Sequence, residues 1–177
     1  MPAKDTVTIN RAPVLTLWAA VVAEVLGFER DTALTLGKAV AGLNAQAKGR
    51  SLGIFRPPKL EGGRPPKKHG LGEEFWIELC GRSVPAKNTE GGVRAVVKDK
   101  PISPDQVRGY LERAFGEDLA AVRKTMEQLA KSREPDDLAE AAFALYEKFR
   151  PTVAGGRRGW GQKGELNLKL IRSLAGV

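Results

Sequence analysis

Apolar positions along the chain change period several times, and each change marks a new element. Val14, Leu17, Trp18, Val21, Val25 and Leu26 follow helical spacing, with Asn10 as the N-cap and Pro13 in the first turn. The run from Ala12 to Phe28 is the most apolar in the chain, but Pro13, Thr16 and Glu24 interrupt it and it is too short to span a bilayer. Asp5 weakens a secretory n-region, and the apolar face continues past Ala23, so a buried helix is expected here and not a leader. A second helix starts near Asp31 and presents Ala33, Leu36, Val40, Leu43 and Ala47 on one face. Gly37 and Gly42 lie inside it, each costing about 1 kcal/mol against Ala. Both therefore predict close backbone approach to a neighbour.

Further along, Phe75, Ile77 and Leu79 alternate with Trp76, Glu78 and Cys80, which predicts a strand over residues 74–83. A Val-rich run over 93–98 predicts a second strand. Residues 84–92, with Pro85, Lys87, Asn88 and Gly91-Gly92, read as a long basic tip between the two. Ser103-Pro104-Asp105-Gln106 is a capping box with Pro at the first helical position. It opens a helix to Phe115 that Gly116 stops. Two more helices follow, one with Leu119, Val122, Met126 and Leu129 inward and one with Leu138, Ala142, Leu145 and Phe149 inward. Residues 6–9 read as extended. Near the end, Leu166, Leu168 and Leu170 alternate like a strand, but a short helix capped at Asn167 is preferred. The expected fold class is α+β, mainly α, in one domain: a helix pair, a β-hairpin, then C-terminal helices, winged-helix-like by analogy.

Composition adds a direction. Among 177 residues, 29 Lys+Arg face 21 Asp+Glu, a formal charge of +8. Hydrophobic content of 42% is enough for a core and excludes a disordered tail. One Cys and one His leave little for a disulfide framework, a thiolate metal site or a His-based constellation. No cofactor is expected, and a cytoplasmic location is. The basic residues are concentrated. Lys48, Arg50, Arg56, Lys59, Arg64, Lys67 and Lys68 are opposed only by Glu61, among Pro57-Pro58, Gly62-Gly63 and Pro65-Pro66. Proline excludes a regular helix or central strand, which predicts a long solvated loop. Arg150, Arg157, Arg158, Trp160 and Lys163 share a second glycine-rich tract, residues 150–164, without an acid.

Clustered Lys and Arg displace counterions from closely spaced phosphates, so nucleic acid is the expected partner, duplex DNA first. Within a helix-turn-helix, the second helix would offer Arg30, Thr32, Thr35 and Lys38, then Asn44 and Gln46, as exposed readers of base edges. Arg82, Lys87 and Arg94 would be the basic residues of a wing. No membrane partner is expected, and a homodimer is allowed. The role would be regulatory or nucleoid-associated, without enzymatic activity. One rival is an RNA-binding protein stacking unpaired bases on Trp76 or Trp160. Another is a small metal-dependent nuclease drawing on Glu73, Glu74, Glu78 and Asp99, with Lys98 or Lys100 beside them. His69 reads as a loop residue and Cys80 as a small buried one. The stretches 10–28 and 33–55 (Ile-Asn-Arg-Ala-Pro-Val-Leu-Thr-Leu-Trp-Ala-Ala, then Leu-Thr-Leu-Gly-Lys-Ala-Val-Ala-Gly-Leu-Asn) resemble bacterial conserved proteins of unassigned function. That resemblance implies no activity.

Overall fold

The computed structural model describes residues 6–47, 74–80, 82–97, 100–151 and 164–176. The first long helix, α1 (Arg11–Val25), is the centre of the fold. Every residue from Pro13 to Ala23 is buried, because α2 (Arg30–Ala47), α3 (Pro104–Phe115), α4 (Leu119–Lys131) and α5 (Pro135–Phe149) all pack against it. A helix apolar on all sides is stable in water only when so surrounded. Trp18 fixes its rotation: the indole Nε1 donates to the Ala142 carbonyl at 2.8 Å, and the ring meets Phe149 edge-on at 5.2 Å.

A short turn over residues 26–29 sends α2 back along α1. The two helices touch most closely at Gly37. A Cβ there would stand 2.3 Å from the Thr16 carbonyl oxygen and 3.0 Å from the Ala20 nitrogen. The glycine therefore allows backbone-to-backbone contact. Gly42 differs from expectation: it is exposed and has nothing within 4 Å, so no close approach explains it.

The predicted hairpin is a larger sheet. Strands β2 (Glu74–Leu79), β3 (Arg82–Thr89), β4 (Gly92–Val97) and β5 (Lys100–Pro101) form an antiparallel meander in that order. The segment read as a basic tip is itself β3, and the β3–β4 turn holds only Glu90 and Gly91. Pro85 does not prevent this. It faces Trp76 on β2, and β4 pairs with β3 only from Ala86 onward, so the missing N–H falls where β3 has one neighbour. Phe75, Ile77, Leu79, Val84, Ala86 and Ala95 line the buried face.

This face is pinned to α2 by two threonines. Thr32 Oγ1 donates to the Val93 carbonyl at 2.7 Å, and Thr35 Oγ1 accepts from the Ala95 N–H at 3.0 Å.

The C-terminal half follows its local signals. Ser103 caps α3, its Oγ accepting from the Gln106 N–H, and Val107, Leu111 and Phe115 are buried. A 3₁₀ turn (Gly116–Asp118) leads into α4, with Val122, Met126 and Leu129 inward. The chain end combines both readings of its pattern. A short strand β6 (Gly164–Asn167) precedes α6 (Leu168–Leu174), whose cap is Asn167, accepting from the Leu170 N–H at 3.1 Å. β6 pairs antiparallel with β1 (Thr6–Ile9), joining the two ends of the chain. The molecule is a mainly helical α+β protein. Among the described residues no helix is long and apolar enough to cross a membrane.

Candidate nucleic-acid interface

Charge is unevenly divided along the chain. The described residues hold 17 Lys+Arg and 17 Asp+Glu, out of 29 and 21, so their net charge is zero. The remaining 12 basic and 4 acidic residues carry the whole +8. Lys48, Arg50, Arg56, Lys59, Arg64, Lys67, Lys68, Arg157, Arg158, Trp160 and Lys163 are among those residues and lie outside the described ones, as do His69, Glu73, Lys98 and Asp99.

The fold does place the flanks of the two basic stretches. α1 has 15 residues and α2 has 18, so they run about 22 and 27 Å. Joined by a short turn, they bring Ala47 to the end of the pair where α1 begins. At that end Arg11 Nε donates to the Pro151 carbonyl at 2.9 Å, just before residues 152–163. Ile9 pairs there with Gly164, just after them. Three of the four flanks thus meet at one end of the helix pair.

The described candidates behave differently from a projecting reader and wing. Thr32 and Thr35 are buried under the sheet, 3% and 0% exposed, and cannot reach a base. Burial corrects the expectation that they are exposed: a threonine reads as polar in sequence, yet its hydroxyl here bonds strand β4. Arg30 is exposed, with Glu24 at 3.5 Å. Lys38 is half-buried, its ammonium 4.1 Å over the Tyr110 ring on α3, and burial lowers its pKa. Asn44 sits in the last turns of α2, towards the end where the flanks meet.

On the sheet, Arg82 opens β3 opposite Leu79, and Lys87 lies opposite Arg94 across β3–β4. Arg94 folds back over the turn, donating to the Val93 and Gly91 carbonyls at 2.9 Å each. The hairpin tip carries Glu90 where basic residues were expected.

A cavity of about 140 Å³ opens between α1, α2, α3 and α4, lined by Leu17, Leu34, Leu111, Leu119 and three arginines. Each arginine faces acid. Glu24 bonds Arg123 and lies near Arg30, Glu127 is 3.6 Å from Arg123, and Arg108 meets Asp31 at 2.9 Å and Asp105 at 2.5 Å. The rim is neutralised, which gives an anion little to gain there. Among the described residues no group of three His, Cys, Asp or Glu side chains could hold a metal ion. Glu78 stands exposed, and Cys80 is buried in the β2–β3 turn with φ +50.

Sequence reasoning passed over one cluster. Arg11, at the start of α1, and Arg150, just past α5, come together where the flanks meet. Desolvation and the Arg150 charge both lower the pKa of Arg11. Neither arginine has a carboxylate within ion-pair distance among the described residues. Tyr146, one turn before Arg150 on α5, is fully buried, its hydroxyl without a hydrogen-bond partner among the described residues. Burial pushes its pKa up to about 12, against the opposing pull of Arg11 and Arg150. The trace in the sequence is that Arg150 is the first basic residue of the second tract, whereas nothing local links it to Arg11.

Compared with protein-family models, curated proteins and solved structures, the chain matches none.

Proposed function

We propose that this protein binds duplex DNA, with Lys48, Arg50, Arg56, Lys59, Arg64, Lys67, Lys68, Arg157, Arg158 and Lys163 against the phosphates. The observation that carries the reading is the division of charge: the described residues are neutral in sum, and two basic Gly/Pro-rich stretches hold the excess, three of their four flanks lying at one end of the helix pair. Residues 48–73 and 152–163 carry the whole excess charge of the chain, and counterion release from a duplex would supply the affinity. Contacts of this kind position a protein without reading sequence. Base readout would fall to Asn44, on the part of α2 that runs towards this end and away from the sheet. With its first half under β4, α2 is a poorer match to a winged-helix recognition helix than the sequence pattern implied. A general regulatory or chromosome-associated role therefore suits the chain better than a single operator.

RNA is the second reading, supported by Trp76, which is partly exposed on the sheet face opposite Phe75 and Ile77 and lies beside Pro85. Fluorescence anisotropy on labelled duplex DNA, single-stranded DNA and RNA across a salt series separates the two. Replacing Arg56, Lys59, Arg64, Lys67 and Lys68 together by Ala should weaken duplex binding across sequences and lower the salt slope by about 4 to 5. Absence of binding to all three nucleic acids at low salt refutes the proposal.

A further inference from the structure

Leucines from four helices leave a space that the fold does not fill. Leu17 on α1, Leu34 on α2, Leu111 on α3 and Leu119 on α4 line the cavity of about 140 Å³, whose rim carries Arg30, Arg108 and Arg123. Leu17, Leu34 and Leu111 are otherwise buried, so the space lies at the edge of the core. Atoms lining an unfilled apolar space lack partners on one side, and a ligand that fills it restores those contacts. The arginines select the kind of ligand. Arg108 donates through Nη1 to Asp105 at 2.5 Å and through Nη2 to Asp31 at 2.9 Å. Arg123 donates through Nη2 to Glu24, and its Nε lies 3.6 Å from Glu127. Arg30 Nε lies 3.5 Å from Glu24. An anion would have to displace a carboxylate from these guanidiniums, and a cation would have to displace an arginine from its carboxylate. What a guanidinium held by its edges still offers is its planar face and alkyl stem, which stack on an aromatic ring. The volume is that of one ring: an apolar cavity of about 150 Å³ in a protein interior takes up benzene. Drug-sized ligands need roughly 300 Å³ or more.

We propose that this cavity binds a small neutral molecule with a single aromatic ring, seated on the leucines and stacked against Arg108 and Arg123. A free molecule suits the mouth better than an aromatic side chain of a partner protein. Arg30, Asp31 and Asp105 stand exposed around it, and a protein interface would bury these charges, which interface cores exclude. Arg30 and Leu34 lie in the first turns of α2, at the opposite end of that helix from Ala47. The site is therefore separate from the flanks of the basic stretches, and the proposal does not depend on nucleic-acid binding.

The test titrates the full chain with benzyl alcohol, a neutral one-ring probe, while the leucine methyl groups are followed by NMR. The methyls of Leu17, Leu34, Leu111 and Leu119 should shift saturably with a Kd of about 1 mM, the scale a ligand of this size reaches. Cyclohexylmethanol has a similar shape without the π face and should bind about fivefold more weakly. Benzoate, which brings a charge into the apolar space, should also bind more weakly. Arg108→Lys keeps the charge and loses the plane, so it should narrow the preference for benzyl alcohol over cyclohexylmethanol. Leu119→Phe, at a partly exposed position opening α4, fills the space from within and should abolish binding. The comparison of the three probes on wild type stays decisive if a variant folds poorly. Absence of saturable shifts at the four leucines, or binding retained in Leu119→Phe, overturns the site. Equal affinity for benzyl alcohol and cyclohexylmethanol, or tighter binding of benzoate, overturns the neutral aromatic ligand. N-acetylphenylalaninamide binding about tenfold more tightly than benzyl alcohol overturns the free molecule in favour of a partner's side chain.

Discussion

The same substitution made at two positions of one helix should act with opposite sign. Gly37→Ala would set a Cβ 2.3 Å from the Thr16 carbonyl oxygen, 3.0 Å from the Ala20 nitrogen and 3.2 Å from the Ala20 Cβ. The two nearest atoms are backbone, so no side chain can rotate away. Ordinary contact needs about 3.5 Å between such atoms, so α1 and α2 would have to part by roughly 1 Å. Overpacking a core typically costs about 1–3 kcal/mol, and a rigid backbone neighbour sets the cost at the upper end. The better helix propensity of Ala returns about 1 kcal/mol, leaving a net loss of about 2 kcal/mol. Gly42→Ala gains the same propensity with nothing within 4 Å to oppose it, a net gain of about 1 kcal/mol. Urea unfolding followed by circular dichroism and tryptophan fluorescence reads the difference of about 3 kcal/mol directly. In a thermal scan Gly37→Ala should melt about 4–8 °C lower and Gly42→Ala about 2–4 °C higher. A Gly37→Ala variant as stable as wild type would refute the close crossing of α1 and α2.

Thr35→Val should cost about 1–3 kcal/mol in urea melts and raise the exchange rate of the Ala95 amide, whose N–H bonds the Thr35 hydroxyl inside the core. Thr32→Val should cost less, because the Val93 carbonyl keeps its bond from Arg94. Ser103→Ala removes the cap of α3 and should cost about 1 kcal/mol by the same assay. Tyr146 titrates near 12 in the folded protein and near 10 when unfolded, so the folded state holds that proton more tightly. Its contribution is complete below pH 10 and is lost as pH rises towards 12; wild type should therefore lose stability over that interval by roughly 2–3 kcal/mol more than Tyr146→Phe.

Features written in neighbouring residues were readable in advance. The capping box at Ser103, the stop at Gly116, the inward faces of α3, α4 and α5 and the cap at Asn167 each depend on residues within a few positions. The buried character of α1 was legible from its apolar length alone. The hairpin was misread because Pro85, Lys87 and Asn88 look like a loop. Only the register shows that Pro85 falls beside a single neighbour strand. The candidate interface divides in the same way. Its basic stretches are plain in composition, whereas the burial of Thr32 and Thr35 and the stacking of Lys38 on Tyr110 depend on what lies above α2.

By itself the sequence determined the helices, the caps at Ser103 and Asn167 though not a capping bond at Asn10, the apolar centre and the concentration of charge into two stretches, because propensity, capping and composition are local properties of a chain. Tertiary structure alone decided which glycine is a contact, which threonines are pins, and that β1 meets β6 across the length of the chain. It also decided that Arg11 and Arg150 share one end of the fold with a buried tyrosine hydroxyl. Those outcomes follow from pairing between distant segments. The free energy of such pairing comes from surfaces that exist only once the helices and strands have come together.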